Sequence, residues 1–225
     1  MTFSLSITLI IVIITCITSI SGFSQQKIVD DFIFYPPSIK RGQYYRFISH
    51  GFIHADVAHL AFNMIALYSF GENLEDIFSF DCVFGRFGKI FFLVLYLTAL
   101  IVASLPDYFR YKNLYHFRSL GASGAVSAVI FSLLIFFPQT PIGLIFLPIR
   151  VPGYIFAVLY LAITVYLDRR GGGNINHSAH FWGAAYGIVF TLVCCALFAN
   201  YFDVYDNFIT QLKSSSADFT LICNY

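Results

Sequence analysis

A chain of 225 residues with 58% hydrophobic, 19% aromatic and only 11% charged side chains lies outside the soluble range, in which about a quarter of residues are charged. Thirteen Lys+Arg against twelve Asp+Glu leave a formal net charge of +1, so there is no basic field to hold a phosphate backbone, which argues against nucleic acid as a partner. The mean hydropathy of +0.75 points to a bilayer as the main solvent, with chain enough for about six spans of roughly 20 residues.

The first apolar run, residues 5–23, has no Lys or Arg before it and is longer than a signal-peptide core, so it reads as span one. Residues 24–47 carry Pro36-Pro37, scattered charges and many aromatics. They read as a long loop whose rings suit the headgroup region. Span two, 53–71, opens among His50, His54, His59 and Asn63, and Glu72 and Glu75 follow its far end. Span three, 87–105, is expected to stop at Pro106-Asp107, and span four covers 121–137. Residues 141–149 are apolar but too short to cross, and are placed as an interfacial or re-entrant piece. Span five, 154–167, ends at Asp168-Arg169-Arg170, and Gly171-Gly172-Gly173 leads into span six, 179–199. The organisation expected is a six-span domain, 1–199, and a polar tail, 200–225, either amphipathic or disordered. Five cysteines (Cys16, Cys82, Cys194, Cys195, Cys223) are odd in number and lack zinc spacing, so they read as small apolar filler with no disulfide framework.

In a six-span chain the even-numbered helices all start on one side of the membrane. The polar residues of span two, Ser123 at the start of span four and His180 at the start of span six therefore share a depth. Gly121-Ala122-Ser123-Gly124-Ala125 is open to two readings: a small-residue packing face, or a nucleophile at a helix start with free N–H groups and the positive helix end beside it. His180, Gly183 and Gly187 lie on one stripe of span six. The histidine could bond in the interface and the glycines simply pack, yet small residues on both spans would let them touch and bring an imidazole base to the Ser123 hydroxyl. His59 and Asn63, at i and i+4, could join helices by hydrogen bonds or, facing Ser123, complete an oxyanion hole. His50 and His54 have the same spacing. They raise a metal site, but there is no HExxH and Asp56 is off their face, so hydrogen bonding at the helix start is the simpler role and no metal or cofactor is expected. For Glu75 the choice is between a solvated helix exit and bonding to backbone between spans.

These residues, Arg46-x-x-x-His50-x-x-x-His54-x-x-x-x-His59-x-x-x-Asn63, Gly71-x-x-x-Glu75, Gly121-Ala-Ser123-Gly124 and Ala179-His180-x-x-Gly183-x-x-x-Gly187, resemble the rhomboid intramembrane serine proteases over about residues 5–199. The resemblance implies an all-α membrane protein, a six-transmembrane-helix bundle of rhomboid type. It implies a dyad of Ser123 as nucleophile and His180 as general base, with His59, Asn63 and the Ser123 N–H around the oxyanion. It also gives structural roles to Arg46 and Glu75. The implied activity is cleavage of single-span or multi-span membrane-protein substrates within the lipid bilayer, without a cofactor. The sequence leaves the oligomeric state, the natural substrate and the cleavage site open.

Two positions depart from the family. Some members carry an aromatic four residues after the nucleophile that stacks on the histidine, where this chain has Ser127. Trp182 stands where a small residue is usual. The resemblance places the protein in a bacterial cytoplasmic membrane with the site facing the extracytoplasmic side. Against that, nine Lys/Arg (Lys27, Lys40, Arg41, Arg46, Arg110, Lys112, Arg118, Arg169, Arg170) fall on the site's side and four (Arg86, Lys89, Arg150, Lys213) on the other, the reverse of the positive-inside expectation. The rival readings are a catalytically silent rhomboid-like factor that binds membrane proteins in quality control, and a metal transporter using the span-two histidines.

Overall fold

A computed structural model describes residues 5–143, 150–171, 173, 175–214 and 223. Helix α1, Ile7–Ser24, is followed by three short helices, α2 (Gln26–Phe32), α3 (Pro36–Lys40) and α4 (Arg46–Ser49), and a 3₁₀ turn at His50–Phe52. Then come α5 (Val57–Phe78), α6 (Gly88–Tyr111), α7 (Ser123–Phe136), a hairpin of β1 (Pro141–Gly143) and β2 (Arg150–Pro152), α8 (Gly153–Arg170), α9 (His177–Phe198) and α10 (Val204–Lys213). Three of these segments, Ile7–Ser24, Gly85–Tyr111 and His177–Phe198, are long and apolar enough to cross a membrane, and Ser123–Phe136 is a shorter apolar helix.

Helix α7 is the axis of the bundle. It is apolar all round and is buried along nearly its whole length, from Gly124 to Phe136, against α5, α6 and α9. Its 14 residues make a rod of about 21 Å, some 12–15 Å shorter than α6 or α9. Ser123 stands at its first helical position. By contrast α8 lies at the periphery, with only Gly153 and Thr164 buried among its described residues.

Several expectations are corrected. The stretch 24–47 is not a plain loop: α2, α3 and α4 fold it over the top of the bundle, because Arg46, only 6% exposed, donates from Nη1 to the carbonyls of Asp30 and Ile33, both at 2.8 Å. Pro106 does not end α6, which runs on to Tyr111. A proline removes one backbone bond in the turn before it, and here Asp107, buried and bonded across to α9, holds the following turn in place. Residues 141–143 and 150–152 pair as antiparallel strands, so the fold is not purely α; the rest of the expected interfacial or re-entrant piece, 144–149, lies outside the described residues, as do Gly172 of the glycine run and most of the tail beyond Ser214. The first part of the tail docks: Asn207 Nδ2 donates to the Phe136 carbonyl at 3.0 Å, and Gln139 Nε2 to that of Leu212 at 3.0 Å. Cys82 and Cys223 form a disulfide across a sequence separation of 141, while Cys16, Cys194 and Cys195 are free thiols. Chain folding alone brings that pair together, so no local spacing announces it.

Helix α5 extends to Phe78, which places Glu72 and Glu75 inside it rather than beyond its exit. Glu75 is 2% exposed and accepts from the N–H groups of Ile7 and Thr8, each at 2.8 Å, and from the Thr8 hydroxyl at 2.9 Å. A carboxylate at the start of α1 satisfies N–H groups that have no partner within the helix and favours the positive helix end. Glu75→Ala is expected to cost about 2–4 kcal/mol, since charged hydrogen bonds are lost and buried donors are stranded. Thermal unfolding in detergent would measure it, and an unchanged midpoint would dismiss the carboxylate as the tie between α1 and α5.

Candidate active site

The site is built where α7 and α9 meet. A Cβ added to Gly183 would lie 2.0 Å from the Gly124 carbonyl oxygen, and one on Gly187 2.2 Å from that of Ala128. Glycine at these two places therefore allows backbone-to-backbone contact that no side chain permits. Ser132 adds a hydroxyl bond to the Gly187 carbonyl at 3.1 Å. Next to this contact stand Ser123, the residue before Gly124, and His180, one turn before Gly183; both are half-buried. The first-turn N–H groups of α7 have no partner within the helix, so free donors and the positive helix end lie beside Ser123.

The turn before Ser123 is held by histidines. Gly121 has φ +113°, in the region that favours glycine, and an added Cβ would meet the His59 ring at 2.7 Å. Its N–H donates to the His50 carbonyl at 2.9 Å. The Ala122 N–H points to His54 Nε2 at 3.4 Å, while His54 Nδ1 is 3.0 Å from the Ser19 hydroxyl, which donates to the Phe52 carbonyl at 3.0 Å. Because Ser19 has one proton and spends it on that carbonyl, His54 carries its own proton on Nδ1 and accepts at Nε2. His54 thereby ties α1 to the turn that presents Ser123. His59 packs edge-on to His54 at 4.9 Å. Asn63 is buried and donates to the His59 carbonyl at 2.9 Å, within its own helix. Among the described residues no group of three or more His, Cys, Asp or Glu is placed to hold a metal ion.

His50 is 8% exposed and lies edge-on to Phe34 at 5.4 Å. It borders a cavity of about 20 Å³ beside Ser123, room for one water. Burial pushes its imidazole down to about 4, against a weaker opposing pull from the carbonyls of Leu100 and Phe47. In the unfolded chain the same ring titrates near 6.5, so below that pH the unfolded state binds the proton that the fold refuses. Stability is expected to fall as the pH drops from about 6.5 to about 4, by about 3 kcal/mol for this residue. Unfolding midpoints in detergent across that range would test it: His50→Phe should flatten the slope, and an equal slope in both proteins would refute the assignment.

Asn176 and Tyr160, which sequence reasoning passed over, and Asp107, Ser127 and Trp182, which it gave other roles, complete the surroundings. Asn176 caps α9 through Ala179 N–H at 3.0 Å and donates to Asp107 Oδ2 at 2.6 Å and to the Ser119 hydroxyl at 3.1 Å. Its position just before an apolar run is an N-cap signal that the sequence does offer. Asp107 gave none beyond the helix stop already assigned to it. Ser127, read only as a departure, accepts from Tyr160 on α8, which no pattern singles out. Trp182 is 44% exposed on the outer face of α9 and packs edge-on to Phe181, so it takes no space at the site.

Fold and site together define a helical membrane bundle whose polar groups gather at the start of its central helix. The Rhomboid domain family matches residues 41–197, and the chain belongs to that family. It is 28% identical over 171 residues to RHOMBOID-like protein 12, mitochondrial, of Arabidopsis thaliana, covering 72% of this chain and 50% of the relative. With Rhomboid protein 1, mitochondrial, of Saccharomyces cerevisiae it shares 28% over 147 residues (64% and 40%), and with the human Presenilin-associated rhomboid-like protein, mitochondrial, 29% over 143 residues (61% and 34%). The chain thus spans half or less of the length of these relatives. All three are named as mitochondrial, so they lend no support to the bacterial membrane expected above.

Proposed function

We propose that the chain is an intramembrane serine endopeptidase that cuts transmembrane segments of other membrane proteins with a Ser123–His180 dyad. The observation that carries this reading is the contact of Gly183 with the Gly124 backbone, which sets the His180 stripe of α9 against the start of α7. In the first step the Ser123 oxygen attacks a substrate carbonyl carbon and its proton passes to His180. The oxyanion is met by first-turn N–H groups of α7, with His59 and Asn63 as further donors. The C–N bond then breaks, His180 returns the proton to the leaving amine, and water cleaves the acyl-enzyme by the same steps in reverse roles. None of these steps calls for a cofactor.

The test is a fluorophosphonate probe on the detergent-purified chain, followed by incubation with a panel of single-span proteins and mass-spectrometric mapping of the cleaved bond. Labelling at Ser123 and one discrete cut are expected. A folded protein that neither labels nor cuts would favour the silent binding factor instead.

For orientation, two features of this chain agree. Nine Lys/Arg lie on the side of the site and four on the other, and the Cys82–Cys223 disulfide lies at the end away from the site. By the positive-inside rule and the redox compartments in which disulfides persist, the site faces the reducing compartment, contrary to the arrangement the resemblance implies. Single cysteines at exposed Tyr115, on the site's side, and Tyr205, on the other, would distinguish the two by reaction with an impermeant maleimide on sealed vesicles.

A further inference from the structure

We propose that Tyr160, on α8, is the positioning residue for His180 and takes the place of the aromatic absent at position 127. The proposal rests on the dyad reading above. The Tyr160 ring lies parallel to the His180 ring, with centroids 6.3 Å apart and an interplanar angle of 16°, an offset stack. Its hydroxyl is 2.7 Å from Ser127 Oγ, and Ser127 Oγ in turn donates to the Ser123 carbonyl at 2.8 Å. A serine hydroxyl has one proton, so Tyr160 is the donor and Ser127 the relay to the backbone of the candidate nucleophile. Phe131 and Phe156 hold the sides of the ring, each at 5.4 Å.

One side chain therefore stacks on His180 and, through Ser127, is tethered to the backbone carbonyl of Ser123. Its ring limits the rotation of the His180 imidazole, and its hydroxyl, through Ser127, fixes how far the ring stands from the start of α7. A general base works only within hydrogen-bond reach of the proton it takes, so limiting that rotation raises the fraction of time in which His180 is placed to act. Serine at 127 is then more than a missing aromatic: it is small enough to admit the tyrosine and polar enough to hold it. Because only Gly153 and Thr164 of α8 are buried among its described residues, the tyrosine reaches His180 from a helix at the edge of the bundle.

The test is the kinetics of purified variants on a transmembrane substrate, with fluorophosphonate labelling of Ser123 in parallel. Tyr160→Leu, which removes the ring, is expected to lower kcat by about 10-fold with KM within about twofold, and to slow labelling equally. Tyr160→Phe keeps the stack and loses the tether, for a drop of about threefold. Ser127→Ala should match it, and the double variant should be no worse than either single one, since both cut the same bond. Unchanged kcat in Tyr160→Leu, or a loss confined to KM, would overturn the proposal. Should Tyr160→Leu not fold, additive losses in Tyr160→Phe and Ser127→Ala would overturn it instead. Failure here is distinct from failure of the dyad, in which the wild-type chain itself neither labels nor cuts.

Discussion

Ser123→Ala and His180→Ala are each expected to abolish cleavage of a transmembrane substrate, with a loss of at least about 10⁴-fold in kcat. A serine hydroxyl is a weak nucleophile at neutral pH and needs an adjacent base; the two residues serve one proton transfer, so removing both should cost no more than removing either. Neither change should unfold the protein. Ser123 opens α7, where alanine is well tolerated, and His180 sits half-buried beside Tyr160 with its backbone already inside α9. Initial rates of fragment release in liposomes, with unfolding midpoints as the control, would settle the matter. Residual cleavage in either variant at more than a small fraction of wild type would end the dyad assignment.

Gly183→Ala should also lower the rate, though by less than loss of either dyad residue, and it touches no reacting group. Its Cβ would stand 2.0 Å from the Gly124 oxygen and 2.7 Å from the Gly124 carbonyl carbon, both backbone atoms that cannot swing aside. Reaching an ordinary contact requires α7 and α9 to move apart by more than about 1 Å. Overpacking of this kind costs about 1–3 kcal/mol, and a misplacement of about 1 Å at a reacting pair can cost about 10²-fold in rate. Gly187→Ala meets the Ala128 oxygen at 2.2 Å but lies a turn further from the site, so it should lose similar stability and less kcat. Trp182→Ala, on the outer face, should leave both within about twofold. Wild-type kcat in Gly183→Ala would show that the glycine contact does not set the geometry.

Much of this arrangement could be read from the chain before any coordinates. Among the described residues, helices α1, α5, α6, α7, α8 and α9 overlap the apolar runs of the sequence, because continuous apolar stretches of that length have few alternatives. The close approach of α7 and α9 at Gly183 and Gly187 was legible because a small-residue stripe is a property of sequence spacing. The offset of α5 was not legible. Glu72 and Glu75 look like the end of a span, and only the N–H groups of Ile7 and Thr8, contributed by another helix, make a buried carboxylate stable there. Pro106 and the segment between α1 and α5 misled for the same reason: a local helix breaker or a run of mixed polarity says nothing about the long-range bonds that override it.

The sequence by itself determined the solvent, the class of fold and the polar residues that an apolar body can ill accommodate, since composition and periodicity are set by each segment alone. Tertiary structure decided which of those residues meet and what holds them. The tautomer of His54, the Asn176 cap bonded to Asp107, the Cys82–Cys223 pair and the stack of Tyr160 on His180 all join segments far apart in the chain. Their partners are chosen by how the helices pack, and no local pattern of residues encodes that choice.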